Sequence, residues 1–415
     1  MNVMELFSGI GSQKTALNRS KLNAKVVYTS DWYAPSIITY DLLQYGDQNL
    51  KKIMKKNKDE LIEFLKPYKL SMNGKNEITE RGFKTTDFEV LARLSYAVKR
   101  TKNFGNISNV SGHDIKIPID LLTYSFPCQD LSNVGAFHGY MFGIDQNRNT
   151  RSGLLWEVSR ILGEMNSNGT KLPRFLLLEN VASLNSKRHK QNFEKWKMTL
   201  RDLGYHNHVY LLNAKDFGIP QNRERLFMIS TKIDDISVDP EKLNDFYEKN
   251  NLEKRKSYKK NLSQFLKLDY NNSMYLEEAL SAQPNKTPSR DMIYENNVHL
   301  VSKDNKIRAY SSTLTTKQDR HPNSGVIHFH EGEAYGKNYF RFLTPREAFI
   351  LMGFREKSFD RLQRLNFIVP SRKRNYLTRD MYYRLLGNSI VVNVLKEIFN
   401  QIDDISKLLG VQRHE

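Results

Sequence analysis

Short apolar runs alternate with helical stretches from Asn2 to Ser230. Apolar runs of about four to eight residues between turn signals are typical of buried strands, and apolar residues spaced three and four apart are typical of helices. The predicted strands are Asn2–Phe7, Lys25–Thr29, Ile119–Ser125, Arg174–Leu178, Val209–Leu212 and Leu226–Ser230, with helices beginning near Ser12, Pro35, Ser152 and Lys190. This alternation predicts an α/β fold built on a parallel sheet flanked by helices.

An insertion interrupts the alternation between the second and third strands. It covers about residues 44–109 and holds a basic helical stretch, Leu50–Leu65, and an amphipathic one, Phe88–Val98. No motif in it points to a ligand, and a solvated surface subdomain is the simpler interpretation.

A second, less regular region follows Thr231. Residues 232–340 are polar, with short strand-like runs such as residues 325–330. The helical pattern returns at Thr344-Pro345, since Thr favours the cap and Pro the first turn of a helix. We therefore predict a main domain over residues 1–231, a smaller domain over 232–340, and a segment, 341–415, that returns to the main domain and ends in a helix over residues 390–408.

Charge adds a partner to this picture. The formal net charge is +18 and the pI is about 9.6, which points to a polyanion, although a Lys-rich composition that only solvates the surface is the alternative. Basic and aromatic residues are mixed in residues 187–197 and 372–376. Phosphate contacts with stacking rings favour nucleic acid over a membrane.

Other classes of protein are disfavoured. The chain has no apolar run of about 18 residues, and its N-terminus lacks the layout of a signal peptide. The one cysteine excludes an intramolecular disulfide and agrees with a reducing, cytoplasmic setting. The His residues are scattered, so we predict no metal site.

That cysteine, Cys128, follows the third predicted strand in the run Ser125-Phe126-Pro127-Cys128. A lone cysteine is by default a small core residue. Here, however, it stands at the carboxyl end of a strand, where open α/β sheets place their chemistry. A reactive thiolate is therefore the sharper interpretation.

Charged side chains are predicted to gather at the same edge. Glu179 ends a buried strand and needs a partner or a function, unless it only caps the next helix. Arg223 and Arg225 precede the last strand of the sheet, where a solvated edge is the ordinary explanation. Asn388-Ser389 opens the last helix, and a helix N-terminus can hold a carboxylate.

A glycine turn, Phe7 to Ser12, closes the first strand. Its glycines allow a ligand to approach the backbone closely, although many α/β proteins have such a turn without a ligand. Asp31-Trp32 ends the second strand, where a carboxylate can bind ribose hydroxyls and Trp32 can lie against an adenine ring or in the core. Asp114 adds another carboxylate. Together these residues suit an adenosine-bearing cofactor without a pyrophosphate.

With these motifs the chain resembles the DNA (cytosine-5)-methyltransferases, of the bacterial single-chain type. The matching segments, in the order of the family, are FSGIGS, DW, HDI, SFPCQDLS, LENV, QNRER, FLTPREAFILMGF and GNSIVVNVL. They run from residue 7 to residue 395. The resemblance implies a Rossmann-like sheet that binds S-adenosylmethionine, and a target-recognition domain over residues 232–340.

The resemblance also implies a mechanism. Carbon 5 of cytosine is a poor nucleophile, so Cys128 would add to carbon 6 of a base flipped out of the duplex. Glu179 would donate or share a proton at N3. Arg225 would hold O2, and Arg223 would share that task or fix a flanking group. Residues 129–150 would form a loop that closes on the DNA.

Further roles follow from the same resemblance. The implied cofactor residues are Phe7, Gly9, Ile10, Gly11, Asp31, Trp32, Asp114, Ile115, Pro127, Leu155, Asn388 and Ser389. The implied DNA contacts are Gln129, Ser132, Val134, Thr315, Thr316, Lys317 and Arg320. The long basic stretch between Phe354 and Arg384 either adds phosphate contacts or is a solvated surface.

The alternatives are a tRNA methyltransferase on the same scaffold, a catalytically silent DNA-binding protein, and an NAD-dependent oxidoreductase. The large separate domain favours duplex DNA over tRNA, and the presence of Cys128, Glu179 and Arg225 argues against a silent protein. The incomplete glycine fingerprint argues against a dinucleotide. We expect a monomeric bacterial modification enzyme, in the cytoplasm near the nucleoid, and the sequence leaves open whether a separate cognate restriction endonuclease is its partner.

Overall fold

The six predicted strands form one sheet in the computed structural model, which describes residues 1–127, 152–233, 239–255, 260–318, 321–332 and 335–410. The strands are β1 (Asn2–Leu6), β2 (Lys25–Ser30), β3 (Leu121–Tyr124), β4 (Phe175–Val181), β5 (Tyr205–Asn213) and β6 (Glu224–Lys232). Their order across the sheet is β2-β1-β3-β4-β6-β5. The first four strands are parallel to one another, and the predicted α/β class is confirmed.

The last strand departs from the prediction of a parallel sheet, which is wrong for β6. This strand runs antiparallel to β4, with Phe175 opposite Thr231 and Val181 opposite Arg225. Only residues 214–223 join β5 to β6, and the two strands are neighbours in the sheet. A parallel neighbour needs a crossover of about a dozen residues or more, so this short connection reverses the chain.

The predicted helices are present, with some changes of length, and the structure adds helices that were not predicted, among them three within residues 232–340. They are α1 (Ser12–Leu17), α2 (Ala34–Tyr45), α3 (Lys58–Leu65), α4 (Glu80–Thr85), α5 (Phe88–Thr101), α6 (Leu155–Ser167), α7 (Lys190–Asp202), α8 (Pro240–Lys249), α9 (Ser273–Ser281), α10 (Pro288–Glu295), α11 (Pro345–Leu351), α12 (Glu356–Leu365), α13 (Arg379–Gly387) and α14 (Val392–Leu408). The basic stretch Leu50–Leu65 is helical only in α3, because Asn57 and Glu60 form a capping box that starts the helix there.

Helices cover both faces of the sheet. Leu176 and Leu178 of β4 point to the face on which Phe193 and Trp196 of α7 are buried, in one apolar cluster that also contains α6. On the opposite face, Tyr40 of α2 donates a hydrogen bond to Glu5 of β1 at 2.8 Å. Strands buried on both faces read as continuous apolar runs, which is why their sequence signal is strong.

The chain divides into two compact units. The first unit contains Met1–Leu212, Glu224–Arg255 and Leu395–Glu415, and the second contains Asn213–Arg223 and Lys256–Val394. The domain boundaries at residues 231 and 340 stay predictions. The second unit has a three-stranded sheet of β7 (His299–Val301), β8 (Val326–His328) and β9 (Phe340–Arg341), and a hairpin of β10 (Ile368–Val369) and β11 (Arg374–Asn375).

A buried ion pair organises part of the second unit. Arg341 and Glu347 are inaccessible to solvent and lie 2.8 Å apart. Glu347 also completes the capping box of α11 with Thr344, as the Thr344-Pro345 signal predicts. Charges buried in this way require full hydrogen bonding, and both side chains have it.

No helix within the described residues is long and apolar enough to cross a membrane. The same residues contain no group of three His, Cys, Asp or Glu side chains placed to hold a metal ion.

Candidate active site

The direction of β6 brings Glu179 and Arg225 together at one edge of the sheet. The parallel strands end at this edge, and the antiparallel β6 begins there, so its first residues lie beside the last residues of β4. Arg225 Nε lies 3.4 Å from Glu179 Oε1, with the two side chains 17% and 11% exposed. The pair therefore places a group able to exchange a proton beside a fixed cation, with both largely out of water.

The neighbouring strand leads to the cysteine. Phe126 is buried just beyond β3, and its carbonyl accepts a hydrogen bond from Asn180 Nδ2 at 3.1 Å. Pro127 follows and is partly exposed. Cys128 lies outside the described residues, as do Gln129, Ser132, Val134 and Arg320. Asn180 stands directly after Glu179, so the hydrogen bond ties the segment before the cysteine to the strand that carries the carboxylate.

The glycine turn after β1 is open at Gly9 and closely packed at Gly11. Gly9 has φ +55°, and no atom lies within 4 Å of the place where a Cβ would stand. Gly11 has φ +80°, and a Cβ there would lie 2.8 Å from Gln44 Nε2 and 2.9 Å from the Tyr40 ring. A ligand can therefore approach over Gly9, whereas Gly11 is required by its neighbours and by its backbone conformation.

A buried acid lies below this turn. Burial raises the pKa of Glu5 to about 7, although the hydrogen bond from Tyr40 acts in the opposite direction. Gln44 holds the turn from the same side, because its amide donates to the Gly11 carbonyl at 3.0 Å. Sequence reasoning missed Tyr40 and Gln44, since nothing distinguishes them from other residues of an apolar helix.

Asp31 is bound to the turn through its carboxylate. Its Oδ2 accepts a hydrogen bond from the Gly9 amide at 2.8 Å, and its Oδ1 accepts one from the Tyr33 amide at 2.8 Å. Burial raises the pKa of Asp31 to about 6, and these backbone hydrogen bonds lower it in part. Each carboxylate oxygen has a second lone pair, so both can still accept hydrogen bonds from ribose hydroxyls.

The other predicted cofactor residues of the first unit differ in what they expose. Phe7 and Trp32 are partly buried, and Asp114 is exposed on a 3₁₀ turn. The side chains of Ile10, Ile115 and Leu155 are buried, the last two in the apolar cluster of the sheet. These three residues offer a ligand their backbone rather than their side chains. All six assignments stay predictions.

The insertion holds the Asp31 segment from two sides, which the sequence did not indicate. The Ser71 amide donates to the Trp32 carbonyl at 2.7 Å, and the Ala34 amide donates to the Ser71 carbonyl at 2.8 Å. Asn103 Oδ1 accepts from the amides of Asp31 at 3.4 Å and Gly105 at 2.6 Å. Ser71 and Asn103 are both buried, so the insertion fixes the position of Asp31 and Trp32.

The QNRER motif is divided between the two units. Arg225 belongs to the first, whereas Arg223 is buried in the second. The Arg223 guanidinium donates to the carbonyls of Leu314 at 2.8 Å, Gly387 at 3.0 Å and Ser389 at 2.9 Å. Arg223 therefore joins the predicted DNA-contact segment after Leu314 to the predicted cofactor segment at Asn388-Ser389.

Gln221 supports the same joint. It is buried, donates to the Leu351 carbonyl at 2.9 Å, and accepts from the Leu314 amide at 3.0 Å. Sequence reasoning placed Gln221 in the motif but gave it no role, although a Gln that precedes two arginines before a buried strand was a usable signal.

The predicted DNA contacts of the second unit lie at a basic cavity. Thr316 and Lys317 line a cavity of about 470 Å³ together with Arg290, Lys337 and Arg379, whose charge is opposed by one carboxylate, Asp380. Thr315 precedes them and is partly exposed, with its hydroxyl donating to the Lys317 carbonyl at 3.2 Å. The cavity is suited to an anionic or strongly polar ligand.

Known proteins are similar to this chain in sequence and in fold. The family model of C-5 cytosine-specific DNA methylases matches residues 83–404. The orphan methyltransferase M.SssI of Spiroplasma monobiae is 31% identical over 97% of this chain and 97% of its own length. The type II methyltransferase M2.ScrFI of Lactococcus lactis subsp. cremoris is 31% identical over 97% of this chain and 99% of its own. The crystal structure of S. pombe Dnmt2 methyltransferase has the same fold, with a TM-score of 0.58 and 18% identity over 98% of this chain and 99% of that chain.

The hydrogen bond from Asp31 to Asn103 generates a prediction about the insertion. We expect Asn103→Leu to weaken binding of S-adenosylmethionine about tenfold, since an unmade buried hydrogen bond costs about 1–3 kcal/mol. Asn103→Asp keeps the acceptor oxygen and should stay within about threefold of the unchanged protein. Calorimetric titration measures the affinities. Asn109→Leu, at a surface position of the same insertion, is the matched control. Equal affinities for both Leu variants would contradict the role given to Asn103.

The raised pKa of Asp31 predicts a pH dependence. An ionised Asp31 accepts hydrogen bonds from ribose, and protonation removes an acceptor site. Affinity for S-adenosylmethionine should therefore fall as pH is lowered through about 6, by about tenfold between pH 7 and pH 5. Asp31→Asn should abolish this fall, whereas Glu5→Gln should keep it. A fall of the same size in Asp31→Asn would assign the titration to another group.

Proposed function

The chain belongs to the C-5 cytosine-specific DNA methylase family, and on that premise we propose which of its residues carry out the reaction. The enzyme transfers a methyl group from S-adenosylmethionine to carbon 5 of cytosine in DNA.

Cys128 is the proposed nucleophile. Its thiolate forms a bond to carbon 6 of the flipped cytosine, and the ring electrons move toward carbon 5. Carbon 5 then takes the methyl group, which the positively charged sulfonium of the bound cofactor supplies. Loss of the proton from carbon 5 breaks the sulfur–carbon bond and releases the thiolate. A free thiol is only a few per cent ionised at neutral pH, so the site must favour the thiolate.

The pairing of Glu179 with Arg225 is the observation that carries this proposal. Addition of the thiolate develops negative charge on the ring at N3 and O2. N3 and O2 are neighbouring polar atoms on one edge of cytosine, and a carboxyl group beside a guanidinium, with 3.4 Å between Oε1 and Nε, can contact both, so Glu179 serves N3 and Arg225 serves O2. Both groups are largely buried, and their electrostatic effect is therefore little screened by water.

Arg223 has a positioning role in this proposal. Its donors are engaged by three backbone carbonyls in the second unit, which supports the alternative that it fixes a flanking group rather than sharing O2 with Arg225. Replacement of Arg223 would destabilise the segments at Leu314 and Gly387, because each would lose a charged hydrogen bond.

The residues of the first unit fit S-adenosylmethionine. The open space above Gly9 admits a ligand to the backbone, and the Asp31 carboxylate keeps lone pairs for ribose hydroxyls. The partly buried Trp32 and Phe7 offer ring faces for adenine. The residues also assigned to this cofactor are Ile10, Gly11, Asp114, Ile115, Pro127, Leu155, Asn388 and Ser389.

We assign target recognition to the second unit and catalysis to the first. The basic cavity at Thr316 and Lys317 supports DNA contacts there, with Thr315 and Arg320 beside them in sequence. We assign to the place that the flipped cytosine leaves in the duplex three residues that follow the cysteine, Gln129, Ser132 and Val134. There they replace contacts that the base loses on leaving the stack.

A bacterial restriction–modification system is the proposed setting. The names of the relatives M.SssI and M2.ScrFI, an orphan and a type II methyltransferase, support modification of short DNA sites. We propose a monomeric cytoplasmic enzyme, with a separate restriction endonuclease that cuts the same site.

Genome methylation tests the function directly. The protein is expressed in a bacterial host without cytosine methylation, and the genome is sequenced after bisulfite conversion. Protection of the cytosines in one short motif is the expected result, and it gives the recognition sequence. Complete conversion in cells that hold folded, cofactor-binding protein would refute DNA methylation by this chain.

Adduct trapping tests the residues. A duplex with 5-fluorocytosine at the target should form a lasting covalent complex, because fluorine cannot leave as the proton does. Cys128→Ala should form none and should lose more than about a thousandfold in methyl transfer, while it binds S-adenosylmethionine normally. Survival of a tenth of the normal rate would exclude the covalent mechanism.

Glu179→Gln is the companion variant. It keeps the shape of the side chain but can no longer exchange a proton, so adduct formation should slow by about a hundredfold or more while cofactor affinity is unchanged. Adduct formation at the normal rate would remove Glu179 from the chemistry.

A further inference from the structure

A surface of the second unit has concentrated positive charge that the catalytic site does not use. It comprises residues 355–377, which form α12 and the β10–β11 hairpin, and we call it the basic platform. The segment contains seven Lys and Arg residues and two acidic ones, Glu356 and Asp360.

The two acidic residues form ion pairs with cations of the same unit. Glu356 Oε1 lies 3.3 Å from Nη1 of the buried Arg346, and its Oε2 lies 2.5 Å from Lys267 Nζ. Asp360, one turn later, pairs with the same arginine. Phe359 is buried between them in sequence. Both carboxylates of α12 thus form ion pairs with cations outside this helix.

The outer face of α12 is entirely basic. Lys357, Arg361 and Arg364 are exposed and follow one another at spacings of four and three residues, so they form one stripe along the helix. Cations in such a line can contact a phosphate backbone whatever its base sequence.

The hairpin continues the charge. Arg372, Lys373 and Arg374 are all exposed at its tip, where Lys373 has φ +48°. Among the residues that the structure describes, none forms an ion pair with these three side chains. A non-glycine residue in the left-handed region is uncommon, and here it lies in a turn with three consecutive exposed cations.

Helix and hairpin are fastened together. Asn366, the first residue after α12, donates to the Leu377 carbonyl at 2.9 Å and accepts from the Leu377 amide at 2.9 Å. The rings of Phe367 and Tyr376 stack at the base of the hairpin, with centroids 4.9 Å apart. The stripe and the hairpin tip are therefore parts of one fixed surface.

We propose that the basic platform binds DNA phosphates, as a second contact separate from the residues that read the target. This inference rests on the proposed function for its ligand, duplex DNA. Cations held on a folded support match a polyanion, because each phosphate bound releases counterions. The contact is independent of sequence, since it involves no base edge.

The salt dependence of DNA binding tests the platform. Fluorescence anisotropy gives the affinity for two 30-base-pair duplexes, one with the methylated motif and one without it, between 50 and 200 mM NaCl. For Arg372→Gln/Lys373→Gln/Arg374→Gln, the log–log slope should become shallower by about 2.7, for three phosphates at about 0.9 each. Over this range the unchanged protein should lose about 40-fold more affinity than the variant, on both duplexes.

Lys51→Gln/Lys52→Gln/Lys55→Gln is the matched control, because it removes the same charge from exposed positions of the first unit. It should keep the slope of the unchanged protein. A hairpin variant with the slope of this control would overturn the proposal and would favour an acidic protein as the partner of the platform. Lys357→Gln/Arg364→Gln provides a second variant on the helix, where a loss of about 1.8 in slope is expected.

Methyl transfer by the unchanged protein on the same duplex separates this proposal from the proposed function. Failure of transfer with the predicted change in slope would refute the catalytic roles and keep the platform. Normal methyl transfer with an unchanged slope in both platform variants would refute the platform and keep the catalytic roles. Normal binding of S-adenosylmethionine by each variant establishes that it is folded.

Discussion

The antiparallel pairing of β6 with β4 is the constraint on which the candidate active site depends. A parallel β6 would begin at the opposite edge of the sheet, with Arg225 a full strand length from Glu179. The reversal places Arg225 opposite Val181 and brings its guanidinium to the carboxylate. The short connection over residues 214–223 enforces this reversal, so the geometry of two charged side chains follows from the length of one loop.

The same connection places neighbouring arginines in different tasks. Arg225 belongs to β6 and pairs with a carboxylate. Arg223 belongs to the second unit and donates hydrogen bonds to carbonyls of two separate segments. A guanidinium with five donors in a planar fork is suited to both tasks, and a lysine would serve neither as well. Identical residue types two positions apart thus have different physical roles.

Local patterns predicted the strands well, because buried parallel strands are continuous apolar runs. They also predicted the cap at Thr344 and the gathering of Glu179 and Arg225 at one edge. The direction of β6 was missed, since residue periodicity carries no information about strand direction. The contributions of Ser71 and Asn103 were missed for a different reason: both act on backbone groups far away in sequence, from polar loops without a motif. The catalytic and cofactor assignments relied on the order of eight motifs more than on any single residue.

The hold of the insertion on Asp31 also has a consequence for the timing of synthesis. Asp31 and Asn103 are bonded in the folded protein, yet the ribosome makes one well before the other. At about 5–20 residues per second, the interval is about 4–14 s. During that interval the Asp31 carboxylate can already accept hydrogen bonds from Gly9 and Tyr33, but the Asp31 amide lacks its acceptor in the insertion. The proposed binding site for the methyl donor is thus fixed only after residue 103 has been made, although its first residues are among the first to be made.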